Sequence, residues 1–399
     1  MVELNSHKSN GLTLGIDASN IRAGGGVTHL VELLRSANPP AHGFAKVVVW
    51  ASRATLARIE ERPWLVKRSN LVMEGHYLRR AFWQRNRLGA MARTEGCNLL
   101  FVPGGSFATD FRPVVTMSRN LLPFEWRELW RHGISLASFR LLLLRWSQSR
   151  SFREADGLIF LTKYAEETVL KVTGALSGKR VTIPHGINER FFHKPRAQRR
   201  IEECDEQRPF RLLYVSIIAN YKHQCQVAKA IVKLRAEGVR IALDLVGSAD
   251  PLALRQLRRT LQRVDPVGSV VRYVGSVPHN ELHAWYESAD LCVFASSCEN
   301  MPNILLEGMA SGLPMACSNR GPMPEVLRDA GIYFNPEDPT DIANAIRQWL
   351  DFPDLRMQKA LAAYNLARQY SWARCAAETF GFLARIRAEY TPSDRKKVS

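Results

Sequence analysis

Read for its hydrophobic and polar positions, the chain opens as short apolar runs set between stretches of helical period. The runs are LTLGIDA, KVVVWAS, NLLFVP, PVVTMS and GLIFLT, with VTHLVELLRSA as a helical stretch between the first two. Runs unbroken by polar residues suit strands of a parallel sheet covered on both faces. A polar stretch, HKPRAQRRIEECDEQRP, separates this series from a second one: FRLLYVS, IALDLVG, VVRYVGSV, DLCVFAS and LPMACS, spaced by helical segments such as QCQVAKAIVKLRAEG and HNELHAWYESA. Two such arrays predict two α/β domains, each a doubly wound, Rossmann-like sheet. The expected limits are 1–195 for the first domain, 196–209 for a linker and 210–374 for the second, with a helix over 375–399 returning towards the first. Ligands of such sheets bind beyond the carboxyl ends of the strands, so a cleft between facing domains is the expected site.

A length of 399 residues also exceeds what one core usually organises. No run reaches the roughly 18 to 20 apolar residues that span a bilayer, and MVELNSHKSN lacks the apolar centre of a secretory signal, so a cytoplasmic protein is expected. The seven cysteines are odd in number and form no CxxC pair, which predicts reduced thiols and neither a disulfide framework nor a zinc site. Charge changes the picture more. Residues 1–200 hold 31 Lys+Arg against 15 Asp+Glu, whereas residues 201–399 hold 24 against 23. The first half therefore faces something anionic: nucleic acid, an anionic membrane surface or a phosphorylated substrate. Two segments are candidates for membrane contact, LRRAFWQRNRLGAMAR and WRHGISLASFRLLLLRWSQSRSFR, the latter with Leu136, Phe139, Leu143 and Trp146 at helical spacing. An ordinary core-facing amphipathic helix is the competing expectation for the second.

Candidate chemistry concentrates in CENMPNILLEGMASGLP. Pro302 suits the first turn of a helix, which puts Asn300 or Met301 at the cap and makes Asn303 to Ala310 helical, ending before Gly312. Glu307 then shares a face with Asn303, and Glu299 lies in the loop after the strand DLCVFAS. An ionised Glu307 left unpaired among apolar neighbours would cost several kcal/mol. It needs donors: a pair of sugar hydroxyls, as on a ribose, or a structural arginine. The N–H groups of Asn303 and Ile304 favour an anion or a polar sugar nearby. Gly24, Gly25 and Gly26, between a strand and a helix starting near Val27, permit close approach to a phosphate or sugar, or form a plain flexible turn.

The stretch SCENMPNILLEGMASGLPMACSNRGPMPEVLRDAGIYFNPED resembles the signature of the retaining GT-B glycosyltransferases of family 4 (group 1) type, in which a Glu-x7-Glu motif leads into an EAMA-like helix. The resemblance runs from LLYVS to the YSW ending at Trp372, and is looser in GIDASNIRAGGGVTHLVELL, FLTKYAEETV and IPHGIN. It implies a GT-B fold, two Rossmann-like domains facing each other across a cleft. It also implies that Glu307 binds a nucleotide ribose, that Glu299 stands near the donor sugar, and that Lys222 neutralises the donor diphosphate. Asn300, Met301, Pro302, Asn303 and Ile304 would contact sugar and phosphate, Gly25 and Gly26 would approach the donor, and Val277 would lie near the wall of the base pocket.

Two departures stand out. The usual Gly and Arg before the lysine are Ser216 and Ile217, so Arg22 or Arg320 would share the leaving-group charge. The usual His-Asp after PVVTMS is replaced around Ser118, Arg119 and Asn120; Arg119 and Asn120 suit hydrogen bonds to sugar or acceptor, and neither is a general base at neutral pH. The resemblance thus implies a retaining enzyme in which the departing phosphate takes the acceptor proton. The catalytic set would be Glu299, Lys222, Arg119 and Asn120, with a nucleotide sugar as co-substrate, no other cofactor and no metal. The acceptor would be a saccharide or lipid-linked saccharide of bacterial surface polysaccharide or glycolipid synthesis, met at the inner membrane face. A nucleic-acid-binding protein, a non-catalytic sugar or lipid binder of the same fold, and a nucleotide-sugar epimerase compete. The first is disfavoured, and nucleic acid is not expected as a partner, because the arginines form neither a continuous tract nor a recognition motif.

Overall fold

A computed structural model describes residues 11–131, 133 and 135–391. The chain divides into two compact units, one of residues 1–186 with 372–399 and the other of residues 187–371. In the first unit the strands are β1 (Leu12–Asp17), β2 (Phe44–Trp50), β3 (Leu65–Arg68), β4 (Leu99–Val102), β5 (Val114–Met117), β6 (Gly157–Phe160) and β7 (Lys179–Thr182). They form a seven-stranded parallel sheet in the order β3-β2-β1-β4-β5-β6-β7. The second unit holds β8 (Phe210–Val215), β9 (Ile241–Val246), β10 (Val271–Gly275), β11 (Leu291–Phe294), β12 (Met315–Ser318) and β13 (Ile332–Phe334), in the order β10-β9-β8-β11-β12-β13. Both orders reverse beside their first strand, the arrangement of doubly wound nucleotide-binding sheets. The fold is GT-B in type, with two Rossmann-like units.

Central strands form because their side chains are almost all apolar, and the one hydroxyl of β5, on Thr116, donates to Val102 O at 2.8 Å. All four residues of β4, of β5, of β6 and of β11 are buried. Trp50, Phe101, Phe160, Phe210 and Phe294 are among the largest buried side chains. The expected strands all appear. Three unexpected ones, β3, β7 and β13, lie at sheet edges: LVKR and KRVT carry charge, and the apolar run of β13 is only three residues long.

The expected linker over 196–209 is corrected. The crossing lies at 186/187, and the segment that follows is tied into the second unit. Ile187 N–H donates to Tyr370 O at 3.1 Å, and His193 N–H to Ala310 O at 3.0 Å. Arg199 donates to the carbonyls of Arg208 and Pro209 at 2.9 and 3.0 Å. Arginines that read as solvated are thus spent on backbone acceptors. The return crossing lies at 371/372, three residues earlier than expected, and helix Trp372–Glu389 packs in the first unit, with Phe380 edge-on to Phe44 at 6.1 Å.

The helix Leu136–Glu154 also differs from its core-facing expectation. Leu136, Phe139, Leu143 and Trp146 are 89, 59, 53 and 65% exposed, while Ser138, Gln148, Ser149, Ser151 and Phe152 are buried. Its apolar stripe faces outward. Among the described residues no helix is long and apolar enough to cross a membrane.

Candidate functional site

In the second unit the chain order reverses between β8 and β11, which lie side by side. Lys222 follows β8 in the 3-10 turn Asn220–Lys222, and Glu299 follows β11. The structure brings them together: the Lys222 ammonium is ion-paired with Glu299 Oε1. Lys222 is buried over Phe294, 5.3 Å from its ring centroid, and its carbonyl accepts from Tyr214 Oη at 2.7 Å. Burial raises the Tyr214 phenol well above its ordinary value, and the Glu299 charge acts the same way, so Tyr214 stays a donor. Ile217, at the position of the usual arginine, is 43% exposed, and its carbonyl accepts from Gln224 Nε2 at 2.8 Å. Arg22 and Arg320 are engaged with neutral acceptors, Gly75 O at 3.2 Å and Asn335 Oδ1 at 3.3 Å.

Helix Asn303–Ala310 has the expected length, but its cap is Pro302 itself rather than Asn300 or Met301. Asn303 N–H is likewise not free, because it donates to Met301 O at 3.0 Å. The Asn303 side-chain Oδ1, by contrast, is buried and has no hydrogen-bond partner. Asn300 and Met301 are buried in the loop before the helix, and Ile304 O lies 3.4 Å from Tyr286 Oη.

Glu307 is 7% exposed and is not held by an arginine. Tyr286 Oη donates to Oε2 at 3.2 Å, and His279 Nε2 lies 3.4 Å from Oε1. Arg190 donates to His279 Nδ1, which leaves the ring proton on Nε2, pointing at the carboxylate. Burial and the charge of Glu307 both raise the Tyr286 phenol well above its ordinary value. Each carboxylate oxygen therefore has one neutral donor and a second acceptor direction in hand. Val277, half-buried in the loop after β10, lies two residues before His279. Sequence reasoning missed Tyr286, His279 and Arg190; HNELHAWYESA contained two of them, read there as a plain amphipathic helix.

The remaining predicted residues belong to the first unit. The helix Gly25–Arg35 starts two residues earlier than expected, after Gly24 at φ +64°, with no side-chain cap and no acidic residue in its first turn. Arg119 is brought onto this turn, donating to Gly25 O at 2.9 Å and Gly26 O at 3.2 Å. Burial lowers its guanidinium pKa to about 10. Asn120 spends its Oδ1 on Leu122 N–H at 3.1 Å, so its carbonyl shapes its own turn.

Next to Arg119 lie two histidines that the sequence did not single out. His29 and His185 are buried 4.5 Å apart, and Trp372 stacks near both at 5.6 and 5.8 Å. Neither ring nitrogen of His29 has a hydrogen-bond partner, nor has His185 Nδ1. Burial drives both pKa values well below 6.5, and the charge of Arg119 adds to the shift. The cluster is a half-buried cation beside two buried, neutral imidazoles.

Residues 209–351 match the family model described as glycosyl transferases group 1. The chain is 35% identical over 109 residues to the O-antigen chain mannosyltransferase B of Escherichia coli, which covers 27% of this chain and 29% of that one. Further curated relatives are matched over 28 to 58% of their length, so the chain spans less than two thirds of them. In structure it is similar to sucrose-phosphate synthase from Thermosynechococcus elongatus, with a TM-score of 0.73 at 19% identity over 95% of this chain and 100% of that one. It is also similar to Anabaena HepE in complex with UDP-glucose, with a TM-score of 0.66 at 16% identity over 93% and 100%. At these identities the structural likeness establishes the fold.

The histidine pair makes stability depend on pH. Because their folded pKa values are depressed, stability is complete above the ordinary value of 6.5 and falls as the pH drops below it, when the unfolded chain takes up protons that the folded one refuses. Each imidazole contributes a slope of about 1.4 kcal/mol per pH unit. Denaturant unfolding between about pH 7.5 and about pH 5.5 measures it. His185→Asn should remove one proton from the slope; an unchanged slope would mean that the ring titrates normally in the folded chain.

Proposed function

We propose that the chain, whose residues 209–351 match the group 1 glycosyltransferase model, is a retaining, metal-independent glycosyltransferase using a nucleotide-sugar donor. The observation that carries this reading is the set of charges at the point where the second sheet reverses. There a lysine–glutamate pair stands next to a helix whose buried carboxylate has only neutral donors. Glu307 accepts from the two ribose hydroxyls, in competition with nothing stronger than a phenol and an imidazole. Lys222 turns from Glu299 to the diphosphate, and Glu299 is released to face the sugar. Asn303 Oδ1 accepts a hydroxyl.

As the bond from the anomeric carbon to the diphosphate lengthens, negative charge grows on the leaving oxygen and positive charge on the sugar. Lys222 stabilises the first and Glu299 the second. The acceptor oxygen bonds to the anomeric carbon on the face the phosphate leaves, and its proton passes to the departing phosphate oxygen. No side-chain base is needed, which suits a chain with Arg119 and Asn120 where a histidine and an aspartate are usual. In the first unit, Arg119 and the Asn120 amide supply hydrogen bonds to sugar or acceptor.

The acceptor is a saccharide, carried on a lipid of bacterial surface polysaccharide or glycolipid synthesis. A cavity of about 380 Å³ in the first unit, lined by Tyr77, Gln84, Ser106, Thr109, Trp146 and Arg150, supports this. Gln84 binds Asp17 at the carboxyl end of β1, and Ser106 follows β4, so the cavity adjoins the carboxyl ends of two central strands. Aromatic faces with hydroxyl and amide groups suit a sugar, and the buried Ser106 Oγ has no hydrogen-bond partner. Around it Leu78, Phe82, Trp126, Leu136 and Phe139 are exposed, interleaved with Arg79, Arg85, Arg140 and Arg145. Arg145 stacks on Trp126 at 3.9 Å, which joins two of these helices. Exposed aromatic and aliphatic side chains among arginines fit peripheral attachment to an anionic membrane face.

Incubation with a panel of UDP-, GDP- and ADP-sugars should release nucleoside diphosphate from at least one, and Lys222→Ala should lower turnover about 100-fold. Glu307→Gln should weaken donor binding by about 10- to 100-fold. If no nucleotide sugar turns over while nucleic acid binds tightly at physiological salt, the enzyme reading is lost. Trp146→Ala should raise the acceptor KM about tenfold and leave donor hydrolysis unchanged. In flotation with vesicles, the protein should follow anionic lipid, and Leu78→Asp with Phe82→Asp should abolish this; equal partitioning into neutral vesicles would count against attachment.

A further inference from the structure

At the amino-terminal ends of β8, β9 and β10, the second sheet does not look like a doubly wound sheet. In the register of the strands Arg211 pairs with Ala242, and Arg272 with Asp244. Along β9, Ile241 and Leu243 are buried while Ala242 and Asp244 are only half-buried. Side chains of a strand alternate between faces, so one face of this corner is left open. A cavity of about 630 Å³ occupies it, lined by Arg199, Arg208, Arg211, Arg272, Asp244 and Ser269 among others.

The charges there do not balance. Asp244 is shared by two guanidiniums, accepting from Arg211 Nη2 at 3.1 Å and from Arg272 Nε at 2.7 Å. Arg199 is pinned by the carbonyls of Arg208 and Pro209 and by Asp290 at 3.1 Å. The Arg208 guanidinium makes no hydrogen bond or ion pair among the described residues. Nor is this the overflow of a basic domain: residues 187–371 hold 23 Lys+Arg against 21 Asp+Glu. Lys222 lies beyond the carboxyl end of β8 and Glu299 beyond that of β11, so the cavity, at the amino-terminal ends, is separate from the donor residues.

We infer that this corner is a second ligand site, which binds an anion carrying two or more phosphate groups. Guanidiniums present paired N–H donors that match phosphate oxygens, and they keep their charge at any physiological pH. With Asp244 fixing Arg211 and Arg272, two of the forks are set in place before a ligand arrives. Arg208 supplies the unspent charge. The shared chemistry covers a soluble polyphosphate and a phosphorylated lipid headgroup.

Tripolyphosphate titrated calorimetrically into Lys222→Ala protein, which lacks the cation assigned to the donor, tests the site without relying on transferase activity. Saturable one-to-one binding is expected. Arg208→Gln, which breaks no contact in the fold, should weaken it about tenfold, and Arg208→Gln with Arg272→Gln should remove it. Absence of saturable binding, binding that survives the double variant, or an equal response to sulfate at matched ionic strength would each overturn the inference. Vesicles of phosphatidylcholine with and without phosphatidylinositol bisphosphate, offered to protein that also carries Leu78→Asp and Phe82→Asp and run beside tripolyphosphate, separate the sources. Binding to the bisphosphate vesicles that is lost in the double arginine variant makes the ligand a headgroup, and no difference between the two makes it soluble.

Discussion

A carboxylate buried without a cation is the constraint from which the second unit is arranged. Removing an ionised side chain from water costs several kcal/mol unless its lone pairs are met. Glu307 meets the cost through two neutral donors, one of them, His279, itself polarised by Arg190. Holding the carboxylate there requires the helix to lie close on the sheet. A Cβ on Gly308 would stand 2.9 Å from Met315 Cε and 3.0 Å from Cys292 Sγ, so a larger residue would have to push these side chains aside for the helix to come that near. At the helix end Gly312 has φ +66°, and a Cβ there would lie 2.6 Å from His193 O and Pro195 N. The chain entering the unit is therefore laid across the end of the same helix. One small helix fixes both the carboxylate and the path of residues 193–195.

The lysine is placed by a similar economy of contacts. Its backbone is held by the Tyr214 hydroxyl, its stem crosses Phe294, and its charge meets Glu299. These partners come from the two adjacent strands on either side of the reversal. The ammonium consequently sits where the sheet's topology opens a crevice, and no arginine is required to position it. Loss of the usual arginine at Ile217 changes the amount of positive charge present, while Gln224 keeps the loop closed through the Ile217 carbonyl.

Legibility in the sequence followed burial. Central strands were readable because both faces are apolar; β3 and β7 were not because they carry charge, and β13 was not because its run is only three residues long. Glu299 and Glu307 drew notice through their spacing around Pro302, and Lys222 only through the resemblance to a family. Their partners did not. Tyr286 lies 21 residues from Glu307 and on another helix, and an aromatic at an amphipathic position reads as core. His29, His185 and Trp372 come from segments far apart in the chain, so only the fold assembles them. The charged stretch 196–209 was misread because sequence counts arginines but does not show that backbone carbonyls receive them. The stripe of Leu136, Phe139, Leu143 and Trp146 had the right period and the opposite direction, since periodicity fixes a face without saying what the face meets.

That reversal separates two kinds of surface on one chain. In the second unit, cations at the site have designated acceptors, and the local excess is confined to the open corner of the sheet. In the first unit, Arg119 has only carbonyl acceptors, and the exposed helix turns leucine, phenylalanine and tryptophan away from the core while burying serine and glutamine. Folding alone disfavours such a helix, because water gains nothing by contact with Leu136 and the core gains little from Gln148. An apolar surface kept at that cost, and studded with arginine, is what supports the membrane attachment proposed above. A nucleic acid would meet the charge and leave the leucines unexplained, whereas an anionic bilayer would meet both.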